Sequence, residues 1–175
     1  MTAQPDVPMG DPTRLTEIYD EAVGEVYRYL RARCGSPELA EELTSSTFVQ
    51  AALQTSRGAV PDLSVRWLIT VARHKLIDHW RREAMADRKL VLLEGGRIDT
   101  VDPWNAVLDE ARAQQVMQSL APTHRAVLTL RYLDDLSVPE CADQLGRSVH
   151  ATESLLARAR NTFRTAYEQT GGHDD

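Results

Sequence analysis

The chain has too few cysteines and too few paired histidines for a disulfide framework or a metal centre. Its 175 residues include two cysteines, Cys34 and Cys141, which lie far apart in the sequence. Neither a disulfide framework nor a zinc site is therefore expected. His74 and His79 are five positions apart, whereas helical metal ligands usually stand at i and i+4. We expect no metal, no cofactor and a reducing compartment.

Long apolar runs are also absent. No stretch approaches the roughly 18 apolar residues of a membrane span. The start, MTAQPDVPMG, has neither the basic region nor the apolar core of a signal peptide. We therefore expect a cytoplasmic protein without membrane insertion.

Strand-like alternation is missing, whereas apolar residues recur at intervals of three and four. The predicted fold is all-α, with two small helical domains joined by a flexible linker and a helix-turn-helix ending the second. Proline and glycine positions and helix-start signals set the boundaries. The expected segments are a disordered leader (1–10), a first domain (11–83), a linker (84–102), a second domain (103–168) and a disordered tail (169–175).

Basic charge is scarce overall but concentrated in two places. The net charge is −6, which is unexpected for a protein that binds nucleic acid. Residues 64–82 nevertheless carry five Arg or Lys against one Asp, and residues 146–165 carry four Arg against one Glu. Because phosphate binding depends on a local patch, these two basic segments are candidate DNA surfaces.

The first basic segment predicts an amphipathic helix from Ser64 to Arg82. At 100° per residue, the side opposite its apolar stripe carries an aromatic ring among charged groups: Trp67, His74, Lys75, Asp78, Arg81 and Arg82. Such a face suits single-stranded DNA, because cations neutralise phosphates and a ring stacks on an unpaired base. A solvated face with Trp67 packed at its edge is the other interpretation.

The second basic segment lies in a predicted helix-turn-helix over Leu136–Arg164. Ser137 and Glu140 have the spacing of a capping box. Gly146 supplies a left-handed helix end, and Ser148 begins the next helix. An ordinary helical hairpin would have the same features.

These segments resemble the extracytoplasmic-function group of bacterial sigma factors. RWLITVARHKLIDHWRRE (66–83) is similar to the group's W-L-x-x-I-A-R-N-x-x-x-D-x-x-R-R segment, with His74 in the usual Asn position. SLAPTHRAVLTLRYLDDLSVPECADQLGRSVHATESLLARAR (119–160) resembles its second conserved region. The likeness covers nearly all of residues 15–164.

The resemblance implies a transcription factor that has no catalytic site. It would bind core RNA polymerase, bring it to promoter DNA and help to melt the minus-ten element, under the control of an anti-sigma factor. The implied polymerase-binding residues are Glu42, Leu43, Thr47 and Phe48. Those for minus-ten DNA are Arg57, Trp67, His74, Lys75, Arg81 and Arg82, with the loop 57–63 holding a flipped base. Those for minus-thirty-five DNA are Arg147, Ser148, His150, Ala151, Ser154 and Arg158.

Several positions depart from the group's pattern. Ser45, Ser46 and Ala52 replace Gln, Glu and Trp in the polymerase-binding helix, which predicts lower affinity for polymerase. In the recognition helix, Glu153 replaces a usual Lys and Leu155 a usual Arg. A carboxylate near phosphates repels them unless it accepts a hydrogen bond from a cytosine amino group. We predict weak DNA binding by the second domain alone, strengthened by Glu153→Lys.

Three other functions compete with the sigma-factor interpretation. A regulator of the response-regulator type shares the helix-turn-helix but lacks the basic helix at 64–82 and binds duplex DNA without polymerase. A helical enzyme would use His74, His79, His124 or His150. A degenerate sigma-like chain would bind only a regulator.

Overall fold

The computed structural model describes residues 13–60, 63–87 and 109–171, and this part of the chain is helical without a strand. Its α-helices are α1 (Thr13–Cys34), α2 (Pro37–Ser56), α3 (Val65–Asp87), α4 (Glu110–Ser119), α5 (Pro122–Leu128), α6 (Val138–Leu145) and α7 (Val149–Gly171). A π-helical turn, Thr129–Leu133, continues from α5. The all-α prediction is confirmed.

The contacts divide the chain into two compact units, residues 1–76 and 77–175. In the first unit α1 packs against α2, and the rings of Tyr19 and Phe48 meet edge to face with centroids 4.9 Å apart. Ser36 begins α2 as predicted, because its hydroxyl accepts the Leu39 N–H at 3.2 Å and Pro37 occupies the first helical turn. This cap fixes where α2 starts against α1.

In the second unit α7 packs against α4, α5 and α6. The core cluster draws on α4 with its C-cap, on α5 and on α7, and consists of Ala113, Val116, Met117, Leu120, Val127, Leu128, Leu155, Leu156, Ala159 and Phe163. Phe163 and Ala159 are fully buried. The apolar side of α7 is therefore committed to this core, which leaves its opposite side to face outward.

Arg125 ties α4 to α5. Its guanidinium donates to the carbonyls of Met117 at 3.1 Å, Gln118 at 2.8 Å and Leu120 at 3.0 Å. These carbonyls lie at the end of α4, where no further turn of helix supplies donors. Burial lowers the pKa of Arg125, but an arginine remains charged at any pH that the fold survives.

Two predicted boundaries differ from the structure. Helix α3 runs to Asp87 and so includes residues 84–87 of the predicted linker, because Ala84, Met85 and Ala86 are good helix formers. Helix α7 continues to Gly171, three residues into the predicted tail. The predicted leader, the linker beyond Asp87 and the helix start at Asp102 lie outside the described residues.

The division between the two compact units falls within α3, between Leu76 and Ile77. Ile77 is buried in a small cluster with Leu130 and Cys141. The second half of α3 therefore belongs to the second unit by its contacts.

Candidate DNA- and polymerase-binding surfaces

Helix α2 presents two apolar sides, of which one is buried. Leu43, Thr47 and Phe48 are at most 9% exposed, and the Thr47 hydroxyl donates to the Leu43 carbonyl at 2.7 Å within the helix. Of the residues implied for polymerase binding, only Glu42 is exposed. The structure thus places the other three in the interior of the first unit.

The outward side of α2 carries apolar residues that were not among the implied contacts. Val49 is 61% exposed and Leu53 is 47% exposed, and Ala52 is exposed beside them. Residues at i, i+3 and i+4 share one side of a helix, so Val49, Ala52 and Leu53 form one surface, which we call the α2 apolar stripe. In the sequence, the apolar residues from Leu39 to Leu53 spread over a wide arc of the helix, which indicates contact on more than one side.

Helix α3 presents the predicted basic face. His74, Arg81 and Arg82 are exposed, whereas Trp67 and Lys75 are partly buried. Asp78 lies on the same face and accepts a hydrogen bond from Arg81 at 3.1 Å, which offsets part of the positive charge. The face therefore combines exposed cations with a partly buried aromatic ring.

Arg57 lies apart from α3 in the sequence, at the end of α2. It is exposed, and its backbone N–H closes the last turn on the Thr55 carbonyl. Gly58 follows with φ of 65°, a left-handed conformation that glycine adopts without strain. Pro61 and Asp62 of the predicted base-binding loop lie outside the described residues.

The helix-turn-helix forms with the predicted turn chemistry. The hydroxyl of Ser137 caps α6, and the Glu140 carboxylate accepts the Ser137 N–H at 2.8 Å, which completes the capping box. Gly146 ends α6 with φ of 62°. Ser148 then caps α7 through the Ala151 N–H at 3.2 Å. These three features, all predicted from the sequence, fix how α6 leads into α7.

The outward side of α7 contains most of the residues implied for minus-thirty-five DNA. His150 and Arg158 are exposed, whereas Ala151 and Ser154 are partly buried. Ser148 is exposed, but its hydroxyl already caps the helix. Arg147 is exposed in the turn that precedes them. The structure therefore brings these residues together at the N-terminal end of α7.

Glu153 and Leu155, the two departures from the sigma pattern in α7, lie on opposite sides of the helix. Glu153 is exposed, and its carboxylate lies 4.0 Å from Nδ1 of His150. Leu155 is 5% exposed and packs in the core of the second unit. Two positions along a helix rotate a side chain by about 200°. Leu155 therefore belongs to the core of the second unit and not to the exposed side of α7.

The cysteines and histidines do not converge on a metal site. Among residues 13–60, 63–87 and 109–171, no group of three or more His, Cys, Asp or Glu side chains could hold a metal ion. Both cysteines are buried, and burial raises the pKa of the Cys141 thiol to about 11. Over the same residues, no helix is long and apolar enough to cross a membrane.

Comparison with known families matches both units of the chain. The model of sigma-70 region 2 matches residues 18–85, which include α2 and nearly all of α3. The model of sigma-70 region 4 matches residues 110–163, which include the helix-turn-helix. Both matches stand in the order expected from the sequence.

Similar curated proteins carry sigma-factor names. The chain is 31% identical to RNA polymerase sigma factor YlaC of Bacillus subtilis, over 83% of this chain and 87% of that one. It is 32% identical to ECF RNA polymerase sigma factor SigF of Caulobacter vibrioides, over 75% and 72%. It is 30% identical to ECF RNA polymerase sigma factor BldN of Streptomyces coelicolor, over 88% of this chain but only 60% of that one.

Among solved structures, the chain is similar to the sigma factor RpoE of Bartonella quintana, which was crystallised in complex with the anti-sigma factor NepR. The TM-score is 0.55 and the identity 17%, over 90% of this chain and 98% of that one. This likeness is one of fold.

Proposed function

We propose that this chain, which belongs to the extracytoplasmic-function group of the sigma-70 family, binds core RNA polymerase and directs it to specific promoters. The observation that carries the proposal is the presence of region 2 and region 4 in one chain, each with an exposed surface suited to its task. The chain itself makes and breaks no bond. It contributes binding energy, and polymerase performs the chemistry in the cytoplasm.

The α2 apolar stripe and Glu42 form the proposed polymerase-binding surface. Apolar side chains that remain exposed on a folded helix gain stability when a partner covers them. Glu42 adds a charge at the same helix surface, which favours a basic partner and fixes its register. The buried Leu43, Thr47 and Phe48 act indirectly, since they set the position of α2 against α1.

The exposed face of α3 is proposed to bind the melted minus-ten element. Trp67 and His74 would stack against or border unpaired bases, while Lys75, Arg81 and Arg82 would neutralise phosphates. Arg57 and the loop after it would hold a flipped base. Melting then follows from differential binding, because these groups interact with single strands better than with a closed duplex.

Helix α7 is proposed to enter the major groove at the minus-thirty-five element. Recognition helices read bases with their N-terminal residues, and in α7 these residues include His150, Ala151 and Ser154. Arg147 and Arg158 would contact phosphates on either side, and Ser148 would hold the helix start in register. Region 4 therefore positions the polymerase, while region 2 opens the DNA.

An anti-sigma factor is the proposed regulator. The RpoE chain of similar fold is bound to the anti-sigma factor NepR, and the exposed α2 apolar stripe offers a surface that an inhibitor could cover in place of polymerase. Competition for one surface would then keep the sigma factor inactive until the inhibitor is released.

Run-off transcription tests the proposed function. The purified chain would be mixed with bacterial core polymerase, checked for co-elution by gel filtration, and supplied with a pool of promoter fragments from the host. We expect transcripts that depend on the added chain. Failure to co-elute with active core would contradict polymerase binding and favour a stand-alone regulator, which would instead shift duplex DNA without polymerase.

A further inference from the structure

We infer that Glu153 determines specificity at the minus-thirty-five element by accepting a hydrogen bond from the amino group of a cytosine. This inference rests on the proposed function, because it requires α7 to enter the major groove. Glu153 is a residue at which this chain differs from the common sigma pattern, and its chemistry predicts which base it reads.

Glu153 lies where a recognition helix contacts bases. It is the fifth residue of α7, which begins at Val149, and recognition helices contact base edges through their N-terminal residues. Thr152 and Leu155 on either side are buried, whereas the Glu153 side chain is 60% exposed. The helix is therefore held by its buried side while the carboxylate projects outward.

The charge of Glu153 is unfavourable for general DNA binding. Helix α7 has two carboxylates, Glu153 near its start and Glu168 near its end. A carboxylate close to DNA phosphates is repelled, so its presence at the N-terminal end lowers affinity for DNA in general. His150 lies 4.0 Å from Glu153 and is adjacent on the same exposed side. Both side chains therefore lie on the exposed side of α7, and the Glu153 carboxylate is open to a base edge.

The choice of base follows from the major-groove edges. A carboxylate only accepts hydrogen bonds, and guanine and thymine present acceptors that would repel it. Adenine has an amino group, but its N7 acceptor lies beside it. Cytosine presents its amino group beside a C5–H, and Glu or Asp is the side chain that pairs with it. Glu153 thus favours cytosine by attraction and disfavours the other bases by repulsion.

The test is transcription by the reconstituted holoenzyme on a promoter library. The minus-ten element is held constant, the minus-thirty-five region is randomised, and transcripts are sequenced. We expect the natural chain to prefer cytosine at one position by about tenfold, which is within the range for a good base contact. In Glu153→Gln that preference should fall to about twofold or less while other positions keep theirs. Glu168→Gln, which removes an exposed carboxylate at the far end of the same helix, should leave all preferences unchanged.

The results of this experiment distinguish a failure of the Glu153 inference from a failure of the proposed function. Transcripts from the library without any change of preference in Glu153→Gln would overturn the role of Glu153 and leave the sigma function intact. A preference that depends on Glu153 but selects another base would overturn the cytosine assignment. Absence of transcripts from the natural chain on the library and on host promoters alike would overturn the proposed function itself.

Discussion

Arg125 shows how one side chain joins two helices. Its three hydrogen bonds reach carbonyls at the end of α4, and the guanidinium fork matches this cluster in a way that a lysine cannot. Truncation would leave several carbonyls partly buried without donors, and hydrogen bonds to charged groups are each worth about 1.5–3 kcal/mol. The energetic importance of this position therefore lies in the fold of region 4.

We expect Arg125→Met to lower the free energy of unfolding of the second unit by about 2–3 kcal/mol, because the lost bonds outweigh the apolar stem that is kept. Urea titration followed by circular dichroism measures it. Arg158→Met is the matched control, since Arg158 is exposed and surface changes usually stay within about 0.5 kcal/mol. Equal stability of the two variants would show that the carbonyl contacts contribute little.

At the scale of elements, Gly24 and Gly146 allow the effect of backbone conformation to be tested separately from steric clashes of an added side chain. An added Cβ meets nothing within 4 Å at either position, but Gly146 has φ of 62° and Gly24 lies inside α1. Alanine at Gly146 would be strained by about 1–2 kcal/mol, whereas alanine inside a helix is favoured by about 0.5–1 kcal/mol.

We therefore predict opposite effects from the same substitution. Gly24→Ala should raise the unfolding midpoint of the first unit, and Gly146→Ala should lower that of the second. Urea titration of each full-length variant would show both. A destabilised Gly24→Ala variant would mean that α1 requires a glycine for a reason other than backbone conformation.

Helix starts were predictable because their chemistry is local. Ser36, Ser137 and Ser148 cap helices within a few residues of themselves, so the sequence is sufficient to identify them. The polymerase-binding role of Phe48 stays a prediction, and its burial could not be read from the sequence, because an apolar arc on both sides of α2 does not indicate which side α1 will cover. The π-helical turn at Thr129–Leu133 also had no signal in the sequence.

For the molecule as a whole, substitutions in the core of region 2 should change its stability, whereas substitutions on its partner surface should change its affinity for polymerase. Val49→Asp places a charge on the α2 apolar stripe at a position that is 61% exposed. It should leave stability nearly unchanged and weaken binding to core polymerase at least tenfold, about 1.4 kcal/mol. Phe48→Ala should instead cost about 3–5 kcal/mol of stability, because it opens a cavity. Titration of labelled polymerase, together with urea unfolding, would distinguish them.

Thr165→Asp controls for charge in this comparison, because it adds the same carboxylate at an exposed position on α7. Its affinity for polymerase should match that of the natural chain. If Val49→Asp bound equally well, the stripe would not be the polymerase surface, and another exposed face of region 2 would have to supply the contact.

The net charge of the whole molecule also affects how strongly its basic surfaces bind DNA. The net charge is −6, so we expect binding of the free protein to non-specific duplex DNA to rely on a few arginines and to be opposed by Glu153. On a short duplex that lacks a minus-thirty-five element, Glu153→Lys should therefore strengthen binding of the full chain and steepen the dependence on salt by about one unit of logarithmic slope, as expected for one added phosphate contact. Fluorescence anisotropy across a series of salt concentrations measures both.

Glu168→Lys provides the comparison that decides the cause. It changes the net charge by the same amount at an exposed position near the end of α7, beyond the residues expected to reach the groove. If it matched Glu153→Lys in affinity and slope, overall charge would govern DNA binding. A larger effect at Glu153 would locate the repulsion at the recognition surface, so that promoter affinity depends on region 2 and on tethering to polymerase, since linked sites raise each other's effective concentration.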